Sequence, residues 1–122
     1  MKALVTGAGG FLGGAIARTL RDRGDDVRGF SRGAHPELAA YGIEHHQGAL
    51  AELDAVIDAT RGVDVVFHTA AKVGAGGRYV DFYDTNVTGT ANVLAACREC
   101  GVPALVHTST PSVVSGVTDL EG

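Results

Sequence analysis

Apolar residues along this chain follow two alternating rhythms. Short apolar runs, with or without period-two interruption, alternate with stretches in which apolar positions recur every three or four residues. Lys2–Thr6 is the first run and predicts a strand. Leu12, Ile16 and Leu20 repeat at helical spacing, with small Gly13 and Ala17 between them. They predict a helix lying close against a sheet and ended by Gly24. Residues 27–30 form a second short strand, and 31–36 a turn. Residues 36–41 allow one or two helical turns, ended by Gly42. A weak third strand covers 43–47. Leu50, Leu53 and Ile57 give another helical stripe, closed by Gly62. Residues 63–68 predict a fourth strand, continuously apolar at Val65, Val66 and Phe67, as for a strand covered on both faces. Residues 70–77 are a loop of small residues. The longest helix covers 82–100 and is stopped by Gly101 and Pro103. Ala104–Thr108 is the fifth strand.

Strands alternating with helices build βαβ units and a parallel sheet. Right-handed crossovers, with a switch of direction after the third strand, give the order 3-2-1-4-5. The expected class is therefore α/β, a Rossmann-type doubly wound parallel sheet. One domain over residues 1–122 is expected, truncated before a sixth strand, because residues 112–122 carry no clear periodicity. No repeat, low-complexity tract or linker interrupts it.

Composition narrows the partners. Ten Lys and Arg against fourteen Asp and Glu give a net charge of −4, so no nucleic-acid partner is expected. No apolar run approaches the ~20 residues that cross a bilayer, so no membrane partner is expected either. The first apolar stretch runs straight into glycines and is too short for a signal peptide. Two cysteines make no disulfide framework, which points to the cytoplasm. Glycine is the outlier at 18 residues, about twice the usual ~7 %.

Those glycines concentrate where they carry chemistry. Gly7, Gly10 and Gly13 are spaced G-x-x-G-x-x-G between the first strand and the first helix. Gly7 suits a tight turn out of the strand, Gly10 the close approach of a pyrophosphate, and Gly13 the close packing of helix on sheet. The helix start adds free N–H groups and a partial positive charge. The alternative is a glycine-rich turn with no ligand. A phosphate loop of the Gly-Lys-Ser/Thr kind is excluded, since the lysines are Lys2 and Lys72.

The end of the second strand chooses between dinucleotides. An acidic residue there bonds the adenosine ribose and favours NAD, whereas arginine accommodates the extra phosphate of NADP. The sequence reads Phe30-Ser31-Arg32-Gly33, without a carboxylate. Ser31 and Arg32 read as a 2′-phosphate clamp, so NADP is the expected cofactor, with NAD possible. The plainer alternative leaves Arg32 as a solvated surface residue among five arginines between 18 and 32.

Further along, Phe82, Asn86, Gly89, Val93, Cys97 and Cys100 fall on one helical stripe. Asn86 therefore points inward, either bracing the site or simply satisfied in the core. Thr108-Ser109-Thr110-Pro111-Ser112 puts hydroxyls at the carboxyl end of a central strand, where such folds bind ligands; ordinary turn chemistry is the alternative. Cys97-x-x-Cys100 lies at a helix C-terminus and reads as core thiols rather than a redox or zinc pair. His45 and His46 are adjacent on a strand and face opposite sides, so no shared metal is expected. His68 and His107 end core strands and read as structural.

Four segments carry a family resemblance: Thr-Gly-Ala-Gly-Gly-Phe-Leu-Gly at 6–13, His-Thr-Ala-Ala at 68–71, Asn-Val-Thr-Gly-Thr-Ala-Asn-Val-Leu at 86–94 and Thr-Ser-Thr-Pro-Ser-Val-Val at 108–114. The chain resembles an extended short-chain dehydrogenase/reductase of the NAD-dependent epimerase/dehydratase superfamily. The last segment resembles the 3β-hydroxysteroid dehydrogenase-like branch. Ala-Ala-Lys-Val-Gly at 70–74 adds a resemblance to bacterial 2-alkyl-3-oxoalkanoate reductases of olefin biosynthesis. The resemblance implies that Gly7, Gly10 and Gly13, with Phe11 and Leu12 in the same turn, hold the pyrophosphate, and that Arg32 meets the 2′-phosphate. It implies that Ala70 and Ala71 pass under the cofactor ribose and that Asn86 braces the site. Thr110, with Ser109 as fallback, matches the Ser/Thr that hydrogen-bonds the substrate oxygen. Lys72 is a further candidate to reach the cofactor, or else a solvated lysine.

Two departures from the family pattern stand out. Gly48-Ala49-Leu50 replaces the usual Gly-Asp-Leu, whose Asp meets the adenine amine. The Tyr-x-x-x-Lys pair, which supplies the proton to the carbonyl, is absent: the tyrosines are Tyr41, Tyr79 and Tyr83, none followed by Lys four residues on. In the family that motif comes some thirty residues beyond the fifth strand. The chain is thus expected to be the N-terminal half of an NADP(H)-dependent enzyme that reduces a small hydrophobic ketone to the alcohol, with a 3-oxoalkanoate or 3-ketosteroid-like substrate. The rival enzymatic reading is a sugar-nucleotide epimerase or dehydratase. The rival from another class is a non-catalytic dinucleotide-binding module. A homo-oligomer is expected, because the fifth strand is an open edge and the long helix forms half of the family's four-helix dimer interface.

Overall fold

The computed structural model describes residues 1–69 and 79–108; for 79–86 it describes the backbone alone. Among these residues the elements run β1 (Lys2–Thr6), α1 (Phe11–Asp22), β2 (Asp26–Ser31), α2 (Pro36–Ala40), β3 (Glu44–Gln47), α3 (Leu53–Thr60), β4 (Val65–Thr69), α4 (Tyr79–Cys100) and β5 (Ala104–Thr108). All strand pairs are parallel, in the order β3-β2-β1-β4-β5. This is the order that the alternation of rhythms predicts, a doubly wound sheet of the Rossmann type.

Period two in β1 sorts the core into two layers. Ala3 and Val5 point to one face and pack with Ala17, Leu20, Val27, Leu38 and Ile43. Leu4 points to the other and packs with Phe30, Val56, Val66, Val93, Ala96 and Cys97. The first layer sits under α1 and α2, the second under α3 and α4. Small residues set the spacing: Gly13, Gly14 and Ala17 are the buried face of α1, with Leu20. A Cβ on Gly29 in β2 would press on Ala8 at 2.8 Å.

Several boundaries differ from the sequence expectation by a few residues, each for a physical reason. β2 runs on to Ser31 because Ser31 pairs with Gln47 of β3. β3 starts at Glu44 rather than 43, because Ile43 N–H is taken by Leu38 O as α2 ends on left-handed Gly42. β4 starts at Val65 rather than 63, because Asp64 turns back onto β1. Its N–H donates to Lys2 O, and its carboxylate accepts from the Lys2 N–H, both at 2.8 Å. α3 starts at Leu53, leaving Leu50 ahead of it, and α4 starts at Tyr79, ahead of 82.

Arg28 is a buried charge within β2. Its guanidinium donates to Ala59 O at 2.7 Å and Arg61 O at 3.0 Å. It thereby satisfies carbonyls left open at the α3 C-terminus, where a cation also suits the helix dipole. Glu44 stands 3.5 Å from its Nε.

Candidate functional site

The strands end level with one another. Thr6 pairs with Phe30 and with His68; His68 pairs with His107, and Thr69 with Thr108. The glycine loop and the β2–α2 turn therefore leave the same edge of the sheet. That edge lies beside the β1–β4 boundary, where the strand order reverses and ligands enter such folds.

The three spaced glycines are not equivalent. Gly7 has φ +69°, and a side chain there would collide with Thr69 Oγ1. Gly13 would drive its Cβ into Gly7 O, with Gly7 C at 2.6 Å and Ala8 Cα at 3.2 Å. Both are fixed by the protein's own packing. Gly10 differs: among the described residues a Cβ there meets only Gly7 O, at an ordinary 3.4 Å. Its φ of −86° and ψ of 176° are open to any residue. What Gly10 keeps clear is the space outside the loop. It is also the N-cap of α1, with no side-chain cap and no acidic residue in the first turn. Phe11, Leu12 and Gly13 thus begin a helix whose first N–H groups have no partner within it. The Phe11 ring is exposed at the mouth of the loop and Leu12 is half-buried. This arrangement fits a diphosphate: bare backbone, aligned donors and no competing anion.

Behind the loop, β1 and β4 are stitched by hydroxyls. Thr69 Oγ1 donates to Thr6 O at 2.7 Å, and the Thr69 N–H donates to Thr6 Oγ1 at 3.2 Å. The Thr6 hydroxyl is buried, so its proton goes to His68 Nδ1, 2.8 Å away. That leaves Nε2–H of His68 to donate to Thr90 Oγ1 of α4 at 3.1 Å. His68 stacks on His107, with centroids 5.1 Å apart. Burial, and secondarily the charge of His107, pushes its pKa down to about 4. His68 is thus a neutral strut beneath the site.

At the β2 end, Ser31 Oγ lies 2.6 Å from His45 Nε2 and 3.3 Å from Gly33 O. Burial, then the charges of His35 and His46, holds His45 below the usual histidine range, against Glu37. Arg32 is exposed, and its carbonyl accepts from Gln47 Nε2 at 2.9 Å. Among the described residues its guanidinium has no hydrogen bond or ion pair. No carboxylate of β2 or its turn follows Asp26 before Glu37, so the position that would bond ribose hydroxyls carries a hydroxyl and a cation instead.

The structure brings Gly7, Gly10, Phe11, Leu12 and Gly13 into one loop and sets Ser31 and Arg32 on the neighbouring strand end. Ala70, Ala71, Lys72, Ser109 and Thr110 lie outside the described residues, as does the side chain of Asn86. Sequence reasoning missed Thr6 and Thr69, whose hydroxyls close the loop's base. It also missed His35, whose ring lies over Gly9. A hydroxyl ending each of two adjacent strands was a usable signal for the first pair. Nothing local signals the second, since 26 residues separate ring and glycine. His45 and His46 take different partners, Ser31 and Glu44, and Cys97 is buried. Among the described residues no helix is long and apolar enough to cross a membrane.

Comparison with known proteins accounts for this geometry. The chain is 52 % identical to the 2-alkyl-3-oxoalkanoate reductase of Stenotrophomonas maltophilia, over 97 % of this chain and 36 % of that protein. It is 39 % identical to a 3 beta-hydroxysteroid dehydrogenase/Delta 5-->4-isomerase of Mycobacterium tuberculosis, over 99 % of this chain and 35 % of that one. A short-chain dehydrogenase/reductase superfamily protein from Agrobacterium tumefaciens, solved with bound NAD, superposes with a TM-score of 0.79. It is 31 % identical, over 99 % of this chain and 36 % of its own. The chain spans about a third of the length of the curated relatives it matches. Residues 3–121 match the sequence profile of one family, and by that match, its strand order and its glycine loop the chain belongs to the NAD dependent epimerase/dehydratase family.

Proposed function

We propose that this chain is the NADP(H)-binding portion, spanning residues 1–122, of an oxidoreductase that interconverts a small hydrophobic 3-ketone and its alcohol. The observation that carries the reading is the difference between Gly10 and its two partners. Among the described residues packing demands glycine at 7 and 13 but not at 10, which suits a ligand lying against Gly10. A dinucleotide pyrophosphate is what the N–H groups of Phe11, Leu12 and Gly13, without partners inside the helix, suit. Family membership and the names of the most similar relatives support the ketone.

In this reading the residues of the chain bind and orient. The α1 start holds the pyrophosphate. Ser31 donates to the 2′-phosphate, and Arg32 neutralises it. Ala70 and Ala71 pass under the ribose, with Lys72 beside the cofactor. Thr110, or Ser109 next to it, donates a hydrogen bond to the substrate oxygen, and Asn86 positions the loop ends. The nicotinamide, when bound, supplies the hydride. Proton delivery to the ketone oxygen needs a stronger acid than a threonine hydroxyl, and the family's Tyr-x-x-x-Lys is not among these 122 residues. We therefore expect these residues alone to bind cofactor without turning over a 3-oxoalkanoate.

Two surroundings complete the proposal. The two free thiols suit a reducing compartment, the cytoplasm. Val87 and Leu94, one face of α4 and both exposed, suit contact with a second copy.

The test is a titration of NADPH and NADH against the chain and its Arg32→Ala variant. A charge-assisted bond is worth about 1.5–3 kcal/mol, roughly ten- to hundredfold. NADPH is expected to bind tighter by that factor, and the variant to erase the difference. Equal affinities untouched by the substitution would overturn the clamp.

A further inference from the structure

Gly9 lies outside the Gly7–Gly10–Gly13 spacing, and its backbone needs no positive φ. It lacks room for a side chain for another reason. A Cβ there would collide with the His35 imidazole, whose Cδ2 and Cε1 both stand 2.6 Å from that position. The ring's Nε2 also stands 3.3 Å from where a Cβ on Gly33 would be. His35 therefore lays its ring between the glycine loop and the turn that carries Ser31 and Arg32. Its Nε2 edge leads into that gap. Nδ1 faces away, 3.3 Å from Glu37 Oε2. The ring meets His45 edge-on, with centroids 5.9 Å apart and planes at 88°. His45 in turn is the imidazole bonded to Ser31 Oγ. Two bare glycines, one from each side, thus admit an imidazole against the serine and arginine read as a phosphate clamp.

We propose that His35 is a further specificity-determining residue, donating Nε2–H to the 2′-phosphate of NADP(H), while His45 positions the Ser31 hydroxyl for the same group. The proposal rests on the NADP(H) reading above. The charged and titratable groups that meet His35 among the described residues are Glu37 of α2 and His45 of β3. The glycine loop contributes none. His45 is held below the usual histidine range by burial and by its neighbours' charges, so near neutral pH it acts on Ser31 as a hydrogen-bonding partner and not as a charge.

The experiment measures dissociation constants of NADP⁺ and NAD⁺ from about pH 6 to pH 8.5, for the chain and for His35→Gln, Gly9→Ala and Arg32→Ala. The ratio of the two constants isolates the 2′-phosphate. That phosphate's own ionisation near pH ~6 is common to all four proteins and cancels between them. Preference for NADP⁺ is expected to exceed that of His35→Gln by about tenfold at pH 6. Gly9→Ala should reproduce His35→Gln, because its methyl displaces the ring. If the chain prefers NADP⁺ and Arg32→Ala removes the preference, yet His35→Gln tracks the unaltered chain at every pH, His35 merely fills the space over Gly9 and this inference alone is overturned. If the chain shows no preference at any pH, the NADP(H) reading and this inference fall together.

Discussion

The sheet contains the same βαβ unit twice around its centre, and the two copies are finished differently. In β1–α1–β2 the strand residues Ala3, Leu4 and Val5 are fully covered, and so are Val27 and Phe30 of β2. Even the turn is dictated from within, since Gly7 and Gly13 touch protein atoms that exclude a side chain. In β4–α4–β5 the central strand β4 is equally covered. Its outer strand and helix are not: Val106 of β5 is 39 % exposed, and Val87 and Leu94 of α4 are 49 % and 46 % exposed. Both units carry an apolar strand run and apolar positions at helical spacing. The pattern says which residues want cover, and only the surrounding chain decides whether they get it. Apart from the Phe11 ring, the first unit is closed on itself; the second leaves apolar side chains of its helix and outer strand partly exposed.

The largest expected effect breaks the closed unit. Gly13→Ala puts a methyl group into the Gly7 carbonyl, a rigid backbone neighbour. It should cost at least about 2–3 kcal/mol, or roughly 10 °C in melting temperature. Gly10→Ala, in the same loop, should leave the melt unchanged or slightly raised, because its φ and ψ suit alanine. It should nonetheless weaken cofactor binding by roughly tenfold or more. Thermal melts and titrations on both variants separate the two roles. If both substitutions unfold the chain alike, Gly10 is a packing glycine and the central observation behind the proposed function is lost.

That loop also marks how far the sequence could be read. The strand order, the two layers and the Gly7–Gly10–Gly13 spacing were legible because each depends on residues close in the chain or on a period that repeats. Arg28 was not. Nothing within β2 signals that its guanidinium would reach the carbonyls of Ala59 and Arg61, more than thirty residues away. Likewise the reason for Gly9 lies in His35, and the tautomer of His68 follows from Thr6 and Thr90 on two other elements. Contacts between side chains distant in sequence leave no local mark. The backbone cradle and the Ser31 and Arg32 candidates are legible in the sequence, whereas the contacts of Thr6, Thr69, His35 and His45 around them come only with the structure.

The next effect probes the joint between the two units. His68 takes a proton from Thr6 of the first and gives one to Thr90 of the second. Its pKa is down at about 4 in the fold, against about 6.5 when unfolded. The unfolded chain gains a proton that the fold refuses. The His68 contribution is therefore complete above pH ~6.5 and declines as pH falls toward 4, by roughly 2–3 kcal/mol in all. Glu44 adds a decline in the same direction, since the His46 hydrogen bond holds its carboxyl below the usual range. Urea denaturation at a series of pH values should show this loss in the native sequence. In His68→Asn, whose amide oxygen can still accept from Thr6, the pH slope between 6.5 and 4.5 should be distinctly shallower, whatever the variant's absolute stability. Equal slopes would mean that His68 is solvated, and that the joint is looser than its hydrogen bonds indicate.

The smallest effect on stability tests the open unit. Val87 and Leu94 stand seven residues apart, two turns along one face of α4. Leu94→Glu replaces an apolar side chain that is 46 % exposed on α4, so its effect on the melting free energy at low concentration should stay within about 1 kcal/mol. Its effect on association should be plain. Light scattering from micromolar to hundred-micromolar concentration should show the native chain rising above its 12.5 kDa monomer mass. The variant should remain near that mass over a wider range. Val106→Lys, on β5, supplies the complementary probe, since a lysine on an edge strand discourages strand-to-strand pairing. If Leu94→Glu restores the monomer and Val106→Lys does not, the helix face is the contact. The reverse result assigns it to the sheet edge. A native chain that stays at 12.5 kDa throughout would show that these residues tolerate water, and that the two units differ in exposure without differing in what they bind.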